Sequence, residues 1–109
     1  MVDYVSKVKE LIKGHQFFQL TASWCPDCVY ANSVWKRFGV EDKIHLFDIG
    51  DLSGPEREQW RQAFQKVTGS RNLPTVLVDG KFWATESELH RFEAGGTLEQ
   101  ELKKINLLS

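Results

Sequence analysis

Cys25 and Cys28 are the only cysteines in the chain, and they stand two residues apart in Trp24-Cys25-Pro26-Asp27-Cys28. Two thiols at this spacing can act in turn on a disulfide. The first attacks and forms a mixed disulfide, and the second displaces the product. The pattern therefore points to thiol–disulfide exchange. The thiolate is the nucleophile, and a free cysteine, with a pKa of about 8.5, is scarcely ionised at neutral pH. A helix N-terminus favours the anion through its unpaired N–H groups and positive dipole end. Making thiolate the main form takes a shift of about two pKa units, or roughly 2.7 kcal/mol. Cys25 is expected at or just before a first helical turn. Pro26 suits the first helical position, where its missing N–H costs nothing. Cys28, three residues on, is expected on the same side and deeper. Cys25 is thus read as the attacking thiol and Cys28 as the resolving thiol. Asp27 disfavours a thiolate if its charge sits close. It otherwise suits a helix start, points to solvent, or accepts a proton from Cys28.

The elements that must position this pair follow from periodicity. Residues about 3–13 read as a helix, with Val5, Val8 and Ile12 on one face and Gly14 as a stop. Residues 16–22 read as a strand leading into the cysteines. Ala31, Val34, Trp35 and Phe38 form one helical stripe closed by Gly39. Residues 44–49 read as a second strand. Ser53-Gly54-Pro55-Glu56 is a capping box ahead of Trp60, Ala63, Phe64 and Val67, and Gly69 ends that helix. Residues 75–78 and 81–84 flank Asp79-Gly80, a preferred two-residue hairpin turn. Thr85 with Glu88 caps a helix carrying Leu89 and Phe92. Gly95-Gly96 breaks it, and Thr97 with Gln100 is expected to cap a last helix with Leu98, Leu102 and Ile105. The order is α-β-α-β-α-β-β-α-α. Its early β-α-β unit implies parallel strands with a right-handed crossover, and the hairpin adds antiparallel ones. A Cys-x-x-Cys beside such a unit marks the thioredoxin-like fold. The expected architecture is α/β: a four-stranded mixed sheet flanked by helices, with an extra helix at the N-terminus.

Length and composition bound the rest. The 109 residues suit one domain, 1–109, and 41% hydrophobic residues suffice for one core. A net charge of −1 gives no reason to expect a nucleic acid partner. No apolar run approaches membrane-spanning length, and the start lacks the plan of a signal peptide. A cytoplasmic monomer with both thiols mostly reduced is expected. A zinc site would need ligands beyond the two cysteines, and His15, His45 and His90 do not stand at finger spacing, so no metal site is expected. His45 and His90 read as structural or solvated, Trp35 and Trp60 as core, Trp24 as active-site surface, and Trp83 as core or rim.

The sequence also resembles the glutaredoxin family in its dithiol Cys-Pro-x-Cys form. Thr68-Gly69-Ser70-Arg71-Asn72-Leu73-Pro74 is similar to that family's Thr-Gly-x-Arg-Thr-Val-Pro. Gly80-Lys81-Phe82-Trp83-Ala84-Thr85-Glu86-Ser87-Glu88-Leu89 is similar to its Gly-Lys-x-Ile-Gly-Gly-x-Ser-Asp-Leu. With the cysteine box, these anchors span residues 16–94. The resemblance implies a groove for glutathione as co-substrate, with no bound cofactor. In it Leu73 offers backbone N–H and C=O just before a cis Pro74, and Ser87 and Glu88 meet the γ-glutamyl end. Arg61 faces the glycine carboxylate, and Trp24 and Pro26 border the thiols. Helix N–H groups and an arginine suit carboxylates. For Arg61 a plain surface role, and for Leu73-Pro74 a role only in starting the next strand, are the alternatives.

The departures from the family pattern matter. The family's lysine three residues before the first cysteine is Ala22 here, its tyrosine before that cysteine is Trp24, and its tyrosine between the cysteines is Asp27. Ala84-Thr85 replaces the Gly-Gly pair. One cation is lost and one anion gained, so weaker glutathione binding and weak activity are expected. The implied substrates are protein disulfides and glutathionylated proteins. Thioredoxin reductase is the alternative electron donor, because the Trp24-Cys25-Pro26-Asp27-Cys28 box also looks like that of some thioredoxin-related proteins. A third reading is an iron–sulfur carrier in which two chains each donate Cys25 beside two glutathiones.

Overall fold

A computed structural model describes residues 3–109. Met1 and Val2, which open both the stretch read for a signal peptide and the 1–109 domain, lie outside the described residues. β1 (Phe17–Thr21) lies at the centre and is buried at every position. It pairs in parallel with β2 (His45–Asp48) and antiparallel with β3 (Thr75–Val78). β4 (Lys81–Ala84) adds an antiparallel edge, giving the order β2-β1-β3-β4. Five helices surround the sheet: α1 (Tyr4–Lys13), α2 (Pro26–Arg37), α3 (Gly54–Thr68), α4 (Glu86–Ala94) and α5 (Leu98–Lys104). The mixed four-stranded sheet and the additional N-terminal helix are those the sequence pattern implies. A short 3₁₀ turn at Glu41–Lys43 was not anticipated.

Side-chain alternation along β1 divides the core into two. Phe18 and Leu20 pack with Val8, Ile12, Phe64 and Leu77 under α1 and α3. Phe17 packs with Ala31, Val34, Trp35, Val76 and Leu89 under α2 and α4. Each fully buried large apolar side chain contributes roughly 1.5–3 kcal/mol. Trp35 is core as expected, whereas Trp60 is half-buried, edge-on to Tyr4 and Phe47. Trp83 is also half-buried, against Phe92.

Local chemistry sets the ends of the elements. The Ser53 hydroxyl accepts from the Glu56 amide at 3.2 Å, and Gly69 closes α3 with φ 86°. Asp79 and Gly80 both take positive φ, 52° and 78°, as a tight hairpin turn between right-twisted strands requires. The Thr85–Glu88 capping box is complete in both directions. The expected Thr97 cap is not made. Thr97 has φ −115° and ψ 6°, outside the extended conformation that aims a cap side chain at its helix. Its hydroxyl instead donates to the Phe92 carbonyl at 3.4 Å, satisfying the end of α4 across the short Gly95-Gly96 break.

Candidate active site

Cys25 is the residue immediately before α2, extended at φ −84° and ψ 122°, and Pro26 is the first helical residue. Its carbonyl accepts from the Val29 amide at 3.0 Å and so closes the first turn. The half-buried Cys25 thiol donates to the Leu73 carbonyl at 3.4 Å. The Leu73–Pro74 peptide is cis. The fold thus brings Cys25, Pro26, Leu73 and Pro74 together at one end of the sheet, although Leu73 lies 48 residues from Cys25 in sequence. Asp27 is exposed in the first turn of α2.

Cys28 differs sharply from Cys25. It is fully buried, and the Ala22 amide donates to its sulfur at 3.4 Å. Burial pushes its thiol up to about 11, against opposing influences of Thr21 and the Ala22 amide. Both cysteines are free thiols. One sulfur therefore reaches solvent at a helix N-terminus, while the other waits beneath it in a medium that resists charge.

Trp24 is 55% exposed, yet one edge of it is fixed. Its indole N–H donates to the Gly50 carbonyl at 2.9 Å, and the Arg57 guanidinium lies over the ring at 5.4 Å. Arg57 also donates to the carbonyls of Ile49, Gly50 and Leu52. The Asp48 carboxylate accepts from the amides of Ser23 and Gly50 at 3.2 and 2.8 Å. A Cβ at Gly50 would stand 2.9 Å from both Asp48 Oδ1 and Trp24 Nε1, so this close approach requires glycine. Sequence reasoning missed Asp48, Gly50 and Arg57. A carboxylate and a glycine at the end of the strand expected to pair with β1 were the available signal.

The remaining candidates lie around the cis-proline loop. Arg61 Nε donates to the Arg71 carbonyl at 3.0 Å, tying α3 to the loop. Arg71, which the sequence reading did not single out, pairs with Glu58 at 2.6 Å. Ser87 and Glu88 line a cavity of about 390 Å³ with Ser70, Asn72, Phe82 and Thr85. Burial disfavours the Glu88 anion, but hydrogen bonds from the Thr85 amide and hydroxyl outweigh it and hold the carboxyl below its usual range. A larger cavity of about 540 Å³ lies between α1, β2 and α3, beside Leu11, Phe47 and Trp60, and contains none of the candidate residues. His15 and His45 stack at 3.8 Å, and His90 stacks on Tyr30 at 3.9 Å. Among the described residues no three His, Cys, Asp or Glu side chains are grouped to hold a metal ion, and no helix is long and apolar enough to cross a membrane.

Comparison with known proteins gives a consistent family. A glutaredoxin family model matches residues 4–83. The chain is 66% identical over 108 residues to Glutaredoxin-8 of Saccharomyces cerevisiae, covering 99% of each. The solution structure of a yeast dithiol glutaredoxin superposes with a TM-score of 0.92 at 65% identity, covering 100% of both chains. A buckwheat glutaredoxin–glutathione complex superposes with a TM-score of 0.74 at 16% identity, covering 97% of this chain and 93% of that one, a likeness of fold.

Proposed function

The chain belongs to the glutaredoxin family, and from that premise and its two unlike thiols we propose a glutathione-dependent thiol–disulfide oxidoreductase. Cys25 attacks one sulfur of a protein disulfide or a glutathionylated protein. A Cys25 mixed disulfide forms and the other sulfur leaves as a thiol. In the dithiol route Cys28 then attacks Cys25, closing a Cys25–Cys28 disulfide and releasing the bound partner. Two glutathiones return both cysteines to thiols and leave as glutathione disulfide. In the monothiol route Cys25 carries glutathione alone.

The observation that carries this reading is the asymmetry of the pair. Cys25 is half-buried at a helix start against the Leu73 carbonyl, whereas Cys28 is buried beneath it. The loop Leu73–Pro74, Arg61, and the α4 start at Ser87 and Glu88 are read as the glutathione groove. Trp24 and Pro26 form its rim. Glu88 contributes through backbone and position, since its carboxylate Oε1 is already held by Thr85. The buried Ala22 and exposed Asp27 supply no cation at this end, which supports weak glutathione binding and activity. The same observation favours thioredoxin reductase as the alternative donor. A reducing compartment such as the cytoplasm suits the free thiols.

The test reduces the oxidised protein in parallel with glutathione and with thioredoxin plus its reductase, following tryptophan fluorescence. Faster reduction by physiological glutathione is expected. Reduction by the thioredoxin system alone would overturn the glutathione assignment. With a glutathionylated peptide, Cys25→Ser should abolish turnover, and Cys28→Ser should retain the monothiol reaction. The reverse pattern would exchange the two roles.

A further inference from the structure

The strand that leads to the cysteines carries two polar residues inside the core, and their partners define a geometry. Gln19 is fully buried. Its carbonyl accepts from Trp35 Nε1 at 2.7 Å, and its amide donates to Asn32 Oδ1 at 3.0 Å. Both partners are on α2, so the odd-numbered side chains of β1 face that helix. Thr21 is the next residue on this face, about 6.6 Å further along the strand. α2 runs back along β1. Cys28 lies one turn before Asn32, about 6 Å along the helix axis. The two steps match, and they set Thr21 beneath Cys28 as Gln19 is set beneath Asn32.

Thr21 is 3% exposed, and its hydroxyl is the one buried side-chain polar atom among the described residues without a hydrogen-bond partner. Leaving such a group unpaired is costly, so its retention needs a reason. In the resting thiol state the Cys28 sulfur holds a bond from the Ala22 amide, the residue next to Thr21. When Cys28 ionises, its sulfur becomes a strong acceptor in a site closed to water. The proximity of the Thr21 hydroxyl already favours the anion, although burial dominates at this sulfur.

We propose that the Thr21 hydroxyl is the hydrogen-bond donor that receives the Cys28 thiolate during ring closure. The inference rests on the proposed roles of Cys25 and Cys28, and it adds a third group to the second step alone. Starting from Cys25–S–S–R, the Cys28 sulfur attacks Cys25 and its proton passes to the departing R–S sulfur. The Cys25–Cys28 bond forms and the Cys25–SR bond breaks. Cys28 is oxidised, and R–S leaves with the electron pair and that proton as the thiol. Thr21 donates throughout and keeps its proton. Its donation stabilises charge on Cys28 alone, so the Cys25 attack does not use it.

The experiment mixes the full-length reduced protein with dithiobis(nitrobenzoate) and follows the coloured thiol. The first equivalent reports attack by Cys25 and the second reports ring closure, whichever reductant serves in the cell. Thr21→Val is expected to leave the first phase unchanged within twofold. It should slow the second about three- to tenfold, because lost thiolate is only partly offset by higher nucleophilicity. Thr21→Ser should restore the second phase. In a Cys25→Ser background, Thr21→Val should move the Cys28 titration to higher pH. Removing an unpaired buried hydroxyl should also raise the thermal midpoint by roughly 4–8 °C, so slower closure would accompany a more stable fold. If valine cannot be accommodated, Thr21→Ala should give the same loss of the second phase. An unchanged second phase in a folded Thr21 variant, or no recovery with serine, would overturn the proposal. Absence of the first phase in the unsubstituted protein would instead overturn the role of Cys25.

Discussion

Under α1 and α3, β1 contributes Phe18 and Leu20 to a core that continues through Val8, Ile12, Phe64 and Leu77. Under α2, the same strand contributes Gln19 and Thr21 beside Phe17, facing a helix that holds Cys28, Asn32 and Trp35. Both faces are closed to water, but they are made of different material. The first gains stability from each apolar side chain. The second accepts polar groups, one of them unpaired, at the place where a sulfur must change charge. The comparison teaches that both sides of the sheet carry an apolar core, and that only the thiol side admits buried polar groups into it. The reactive side is tuned at some cost to stability.

The largest expected effect tests the first face. Phe18→Ala removes a fully buried ring from the centre of the apolar face. A loss of about 3–5 kcal/mol is expected in denaturant unfolding, comparable to much of the stability of a domain this size. A loss below about 1 kcal/mol would mean that Phe18 does not anchor this face.

Gln19 is the matching test of the other face, with a smaller expected effect. Gln19→Leu leaves the buried Trp35 N–H without its acceptor and should cost about 1–3 kcal/mol. Adding Trp35→Phe removes the orphaned donor and should recover a measurable part of that loss. A double-mutant cycle reads the coupling directly. Additive losses would show that the polar pair is not an interacting unit.

The two faces also differ in how openly the sequence announces them. The apolar helical stripes, the glycine stops and Asp79-Gly80 depend on neighbours a few residues apart, so the element order could be read directly. The same holds for the cysteine box, whose helix-start chemistry is local, and for the cis-proline loop, which carried a family pattern. The buried seam could not be read in this way. Gln19 is a polar residue in an otherwise apolar stretch, and its partners lie 13 and 16 residues on and meet it only when α2 folds back. Likewise Asp48 and Gly50 reach Ser23 and Trp24 only because β2 pairs in parallel with β1. Thr97 shows the opposite failure. Its local signal matched a cap, but the short connection between α4 and α5 gave its hydroxyl a different carbonyl.

The smallest expected effect lies at the β2 edge, where pH alone should separate two contributions to stability. The half-buried His45 ring stacks on His15 and tilts against Phe18. Burial, reinforced by the neighbouring His15, holds its pKa below the ordinary 6.5. The folded protein therefore binds fewer protons than the unfolded chain between that lowered value and 6.5. Stability should rise with pH through this window. The contribution is fully present above 6.5 and is lost as pH falls through the folded value. Denaturant unfolding measured from mildly acidic to neutral pH should show this slope. His45→Phe, which keeps an aromatic ring against His15, should flatten it while leaving Phe18 covered. A slope that survives the substitution would place the titrating group elsewhere and leave the His15–His45 stack without a role in the pH response.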